Sequence, residues 1–167
     1  GVGARDETKN ENIINRKICA EKASNNLDFK WLANYDFKDN AMDQYSLLDI
    51  VKCVEVEKNK VSPDLVYTHS PADLNIDHRI VTNAVLTAFR PHPKEICKEI
   101  RLFEVASATD FGHKDVTGFF NPNLFVEITK TWENKFLALK SYQSELRDFP
   151  HSRSIEGIKN LAFMRGN

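Results

Sequence analysis

Pro63-Asp-Leu-Val-Tyr-Thr-His-Ser-Pro-Ala-Asp-Leu-Asn-Ile-Asp-His78-Arg79 has the pattern of a strand, a polar loop and the start of a helix. Residues 64–68 read as a strand, because Leu, Val, Tyr and Thr favour a pleated, buried setting. The strand runs into a loop crowded with Asp, Asn and His. A helix follows, whose apolar residues Val81, Ala84, Val85 and Ala88 repeat at helical spacing. Asp73, Asn75, Asp77 and His78 fall within six positions, denser in reactive side chains than an ordinary turn requires. His69 stands at the loop's entry and His78 at its exit. Open α/β sheets place ligands just beyond the carboxyl ends of their strands, which is where this loop lies.

Working outward, Leu47, Ile50, Val51 and Val54 recur at i, i+3, i+4 and i+7, so residues 45–59 are expected to form a helix with one buried stripe. The helix after the loop should end before Pro91, whose ring disfavours helical geometry at the preceding residue. Residues 13–27 read as a weakly amphipathic helix and residues 29–32 as a short strand. Residues 100–106 and 124–128 read as further strands, separated by an aromatic, Gly-containing loop over 111–123. Trp132, Phe136, Leu139 and Tyr142 mark a long helix with Thr129 as its N-cap, and residues 154–164 a last one. Helices and strands alternate, so the expected fold class is α/β with a mostly parallel, layered sheet. With no repeat, linker or low-complexity segment, residues 1–167 are expected to form a single domain.

Composition narrows the function. A net charge of -1 gives no electrostatic footprint for a nucleic-acid partner. No apolar run approaches the roughly 20 residues that span a bilayer. Three scattered cysteines, Cys19, Cys53 and Cys97, lack any CxxC spacing and read as reduced thiols. The opening Gly-Val-Gly-Ala-Arg-Asp-Glu has no signal-peptide pattern, so the expected localisation is cytoplasmic.

His78 falls in the first turn of its helix, where the positive helix end disfavours a protonated imidazole and keeps it able to ligate a metal. Asp77 lies at or beside the N-cap. Asp and Asn are also the commonest N-cap and turn residues, so each alone has a structural explanation. It is the grouping of two carboxylates, an amide and a histidine after a strand that points to chemistry. A catalytic zinc needs three protein ligands and an open position. The residues themselves nominate one ligand and no complete site.

Residues 63–79 resemble the second signature of the PIG-L/LmbE-like zinc-dependent N-deacetylases: a strand, Thr-His, a short loop, then Asp-x-Asn/His-x-Asp-His. The similarity extends to Gly1-Val-Gly-Ala-Arg5, to Phe103-Glu-Val-Ala-Ser107, to Phe120-Asn-Pro-Asn123, to the helix over 135–142 and to Phe149-Pro-His-Ser-Arg-Ser154. Residues 37–43, Phe-Lys-Asp-Asn-Ala-Met-Asp, are similar to a loop of a bacterial subgroup often linked to surface-polysaccharide genes. The resemblance implies a Rossmann-like fold, a mostly parallel layered sheet flanked by helices, here lacking the family's first strands. It implies removal of an acetyl group from an N-acetylated sugar or sugar conjugate, with Zn2+ as cofactor and that small molecule as partner.

Position by position, the resemblance makes His78 a zinc ligand and Asp77 the carboxylate that orients the residue two positions before it. In many relatives that residue is a histidine stabilising the oxyanion; here it is Asn75. An amide can donate to an oxyanion but cannot shuttle a proton. Arg5, His69, Asp73 and His151 correspond to substrate-binding positions. The family's first signature, Ala-His-Pro-Asp-Asp-Glu, which supplies two ligands and the general base, does not occur in these 167 residues. The chain is therefore expected to be a fragment of a longer domain, inactive by itself. An exposed apolar sheet edge is expected to favour self-association, a homo-oligomer included. Two other readings stay open: an inactive fragment or binding module of the same fold, and a different metal hydrolase such as a phosphoesterase.

Overall fold

The computed structural model describes residues 10–166, with side chains from residue 12 onward. In chain order the helices are α1 (Asn10–Asn26), α2 (Leu47–Val61), α3 (Ile76–Ala88), α4 (Lys114–Thr117), α5 (Trp132–Lys140) and α6 (Ile155–Gly166), and the strands are β1 (Leu65–His69) and β2 (Glu99–Phe103). Two compact units form, Ala33–Phe120 and the combination of residues 10–32 with 121–166. The fold class is α/β, with a small parallel sheet.

The first unit is built on a β–α–β succession. β1 and β2 pair in parallel, in a register that places Leu65 opposite Glu99 and His69 opposite Phe103. Parallel strands need a long crossover, and α3 supplies it. Helix α2 packs on α3, and the core between them holds Met42, Ile50, Val51, Ala84, Val85, Ala88 and Phe89. Val66 and Ile100, one from each strand, pack against the same cluster. Ile50 and Val51 are the buried stripe read from the spacing in α2, and Ala84 is wholly enclosed. Truncation of Ile50 to Ala in so closed a site costs about 2–5 kcal/mol.

Local chemistry sets the helix ends. Ser46 caps α2 by accepting the Asp49 N–H at 3.2 Å, and its own hydroxyl donates to the Asp49 carboxylate at 2.7 Å. The helix stops at Ser62, whose left-handed φ of 51° turns the chain into Pro63. At the carboxyl end of α3 the Lys58 ammonium donates to the Ala88 carbonyl at 2.7 Å, satisfying a backbone group the helix leaves open. The same ammonium pairs with Glu95 and sits 4.6 Å from the Phe89 ring centroid.

In the second unit, α1 packs on α5 through small residues, with Ala20, Ala23, Ser24 and Ala138 buried. Polar ties hold the pair: Asn26 Nδ2 donates to Ser141 Oγ at 3.1 Å, and Asn134 Nδ2 to the Asn26 carbonyl at 3.0 Å. Glu145 receives both Arg16 at 2.5 Å and Arg153 at 3.2 Å. Ser154 Oγ accepts the Gly157 N–H at 2.8 Å in the first turn of α6.

Three local expectations are corrected. Residues 29–32 and 124–128 are not strands, and Phe29, Leu124, Phe125 and Val126 are all exposed. Strand preference is a preference for neighbours on a pleated surface, and these segments have none among the described residues. The expected cap Thr129 instead opens a 3-10 turn, Thr129–Thr131, which delays α5 to Trp132; Thr131 precedes it without a side-chain cap bond. The loop expected over 111–123 contains the single turn of α4, capped by His113 Nδ1, which accepts the Asp115 N–H at 3.3 Å.

Candidate active site

The carboxyl end of β1, the loop over 70–75 and the first turn of α3 bring together His69, Asp73, Asn75, Asp77 and His78. Asn75 is the N-cap of α3: its Oδ1 accepts the Asp77 N–H at 2.8 Å. That fixes where α3 starts, and so fixes His78 in its first turn. Thr82, fully buried one turn later, donates its hydroxyl to the carbonyls of His69 and His78, both at 2.9 Å. The end of the strand and the start of the helix are thereby locked together. Arg79 closes the loop from outside, with Nη1 donating to the carbonyls of Asp73 and Leu74 at 2.7 Å each.

Asp73 is completely enclosed. Its Oδ2 lies 2.9 Å from His78 Nδ1 and accepts the Thr109 hydroxyl at 3.1 Å, while Oδ1 accepts the Asn75 N–H at 2.9 Å. An enclosed carboxylate so fully occupied has no face for substrate. Asp73, expected at a substrate-binding position, is in contact with His78. A carboxylate behind the distal nitrogen of a histidine is the usual arrangement for a metal-binding imidazole, because it fixes ring and tautomer.

Asp77 also differs from expectation. Its carboxylate does not hold Asn75; Oδ2 accepts the Asn40 N–H at 2.5 Å and Oδ1 the Met42 N–H at 3.0 Å. Asp77 thus pins the loop over 37–43 against the start of α3. Asn40 turns there at a positive φ of 53°, a conformation Asn tolerates better than most residues.

The His69 and His78 rings stack, with centroids 4.1 Å apart and planes inclined by 17°. Phe103, the β2 partner of His69, covers it at 4.9 Å. Burial pushes the His69 imidazole down to about 4; the neighbouring His78 adds to this, against an opposing pull from Asp73. His69 is therefore neutral at physiological pH. Its Nδ1, like Thr68 Oγ1, is shut from solvent without a hydrogen-bond partner among the described residues.

The residues present fit part of a metal site. His78 has Nδ1 engaged, leaves Nε2 without a partner among the described residues, and keeps about a quarter of its side chain open at 23%. No group of three His, Cys, Asp or Glu side chains placed to hold a metal exists among the described residues. A catalytic zinc requires three protein donors, and His78 Nε2 is a single nitrogen without a partner among the described residues. Arg5 lies outside the described residues. His151 belongs to the second unit, where its Nδ1 accepts the Arg153 N–H at 3.0 Å.

Thr109, Thr82 and Arg79 join the site without having been among the residues expected there. Arg79 and Thr82 carried a weak signal, lying in the first turns of the helix that bears His78. Thr109 carried none, standing 36 residues from Asp73.

The family model PIG-L, described as GlcNAc-PI de-N-acetylase, matches residues 3–89, more than half of the 167 residues. Neither the curated proteins nor the solved structures yield a match. No helix among the described residues is long and apolar enough to cross a membrane. The matched span contains β1, the Asp73–His78 loop and α3, so the loop geometry and the family model converge on one segment. The chain belongs to the PIG-L family of deacetylase-type hydrolases.

Proposed function

We propose that this chain contributes His78 to the zinc site of an N-deacetylase that cleaves the acetamide of an N-acetylated sugar or sugar conjugate. One observation carries the reading: within the family match, the enclosed Asp73 holds His78 by Nδ1 and leaves Nε2 for a ligand. His78 Nε2 would be this chain's donor to the zinc, which would supply Lewis acidity toward water and the acetamide carbonyl. The chain's own residues then act by position. Asn75 has Oδ1 committed to the cap of α3, which directs its amide nitrogen away from the helix as a donor to the charge developing on the carbonyl oxygen. His69, neutral and stacked on His78, walls one side of that ring.

Water adds to the acetyl carbon, the C–N bond breaks, and acetate and a free amine leave. The proton removed from water goes to a carboxylate other than Asp73 or Asp77, both already occupied by donors, and passes from it to the leaving amine nitrogen. In this reading the remaining ligands and that base belong to a donor set wider than the residues described. The β1–α3–β2 unit is part of a larger Rossmann-like layered sheet, and the protein works in the cytoplasm.

A non-catalytic reading draws on one fact, that the described residues hold no three-donor group. The two are separated by assaying the protein as its gene encodes it for acetate and phosphate release from N-acetylated sugars and sugar phosphates. Zinc-dependent acetate release supports the deacetylase. Release of phosphate alone supports a phosphoesterase, and release of neither supports a binding module.

A further inference from the structure

The turn after β2 has no part in the mechanism above, yet it is fastened to the loop that carries Asp73 at three points. The Leu74 N–H donates to the Ala108 carbonyl at 3.0 Å. The Thr109 hydroxyl reaches Asp73 Oδ2 at 3.1 Å. Gly112 passes so close to the loop that a Cβ there would stand 2.3 Å from the Ala72 carbonyl oxygen. Thr109 is itself buried and held from both sides: its Oγ1 accepts the Val105 N–H at 2.7 Å, and its own N–H donates to the Val105 carbonyl at 2.9 Å.

We propose that Thr109 is a positioning residue for His78, acting through Asp73 to hold the imidazole proton on Nδ1 and the lone pair on Nε2. The proposal rests on the functional reading only for what Nε2 is used for. Because Thr109 Oγ1 accepts from Val105, its single proton is free to go to Asp73 Oδ2. A carboxylate oxygen offers lone pairs to both neighbours, and the Nδ1–H tautomer is the one in which His78 donates to it alongside Thr109. A hydroxyl and an imidazole converging on one oxygen keep that carboxylate from rotating, and with it the plane of the His78 ring. Removing the hydroxyl leaves Oδ2 with one neighbour fewer and the carboxylate free to rotate about its Cβ–Cγ bond, which loosens its hold on the His78 Nδ1–H.

The test is the histidine tautomer, read from long-range 1H–15N spectra of the metal-free protein as its gene encodes it, with His78 assigned by its loss in His78→Gln. Wild type is expected to show His78 as the Nδ1–H tautomer. Thr109→Val, nearly equal in volume, is expected to lose the Nδ1 proton signal, and Thr109→Ser to regain it, with the His92 and His113 signals unchanged in both. An unchanged tautomer in Thr109→Val overturns the proposal, as does failure of Thr109→Ser to restore it. If the valine variant does not fold, Thr109→Ala takes its place, and an Nε2–H tautomer in the wild type overturns the proposal without any variant. No zinc or acetate is measured, so failure of the deacetylase reading would leave this result standing.

Discussion

Asp73 and His78 stand five residues apart and meet at 2.9 Å, the carboxylate wholly enclosed and the imidazole partly open. The pair fixes the ring proposed as a metal ligand. Helix start, loop closure and ring orientation are each fixed by a separate bond, through Asn75, Arg79 and Asp73.

Asp73→Asn keeps the shape and removes the charge and one acceptor. Zinc affinity of the gene-encoded protein, read by competition with a chromophoric chelator, is expected to fall roughly 10–100-fold, the usual effect of losing such a partner. An affinity unchanged within twofold would mean that His78 does not depend on Asp73.

Asp77→Ala tests a different role. A buried backbone donor at Met42 and a partly buried one at Asn40 lose their acceptor, and stability is expected to drop by about 1–3 kcal/mol. Amide exchange should accelerate at Asn40 and Met42 beyond the global change. If Asp77 instead acts mainly on Asn75, exchange at those two amides will follow the rest of the domain.

The division between these two aspartates shows what the sequence reveals and what it withholds. Leu47, Ile50, Val51 and Val54 announce α2, and Val81, Ala84, Val85 and Ala88 announce α3, because helical spacing is a local property. β1 is legible for the same reason, and the Asp73–His78 loop stands out by density alone. Which carboxylate serves which partner depends on contacts across sequence: Asp77 reaches back 37 residues to Asn40, and Asp73 forward 36 to Thr109. The apolar segments 29–32 and 124–128 mislead in the opposite way, since their composition suits a strand but pairing is a tertiary event.

Gly112→Ala should be costly for its size. The added carbon meets a backbone oxygen rather than a flexible side chain, so the turn and the Ala72 loop must part. A loss of about 1–3 kcal/mol in chemical denaturation is expected, in the range of other overpacked sites. A neutral substitution would show that the two loops move apart freely.

The Lys58–Glu95 pair gives a pH signature. The Lys58 ammonium, then the Cys97 N–H, hold the Glu95 carboxyl below its usual range. A depressed carboxylate contributes stability that is fully present above its unfolded value near 4.5 and fades as pH falls through the lower folded value. Stability measured from pH 7 down to pH 3 should therefore fall less steeply in Lys58→Met than in wild type. Equal slopes would remove the pair from the acid response.

Zinc content of the gene-encoded protein, wild type against His78→Ala, tests the central claim most directly. Zinc is expected to be bound in the wild type and lost in the folded variant. Equal zinc occupancy in the two proteins would contradict it.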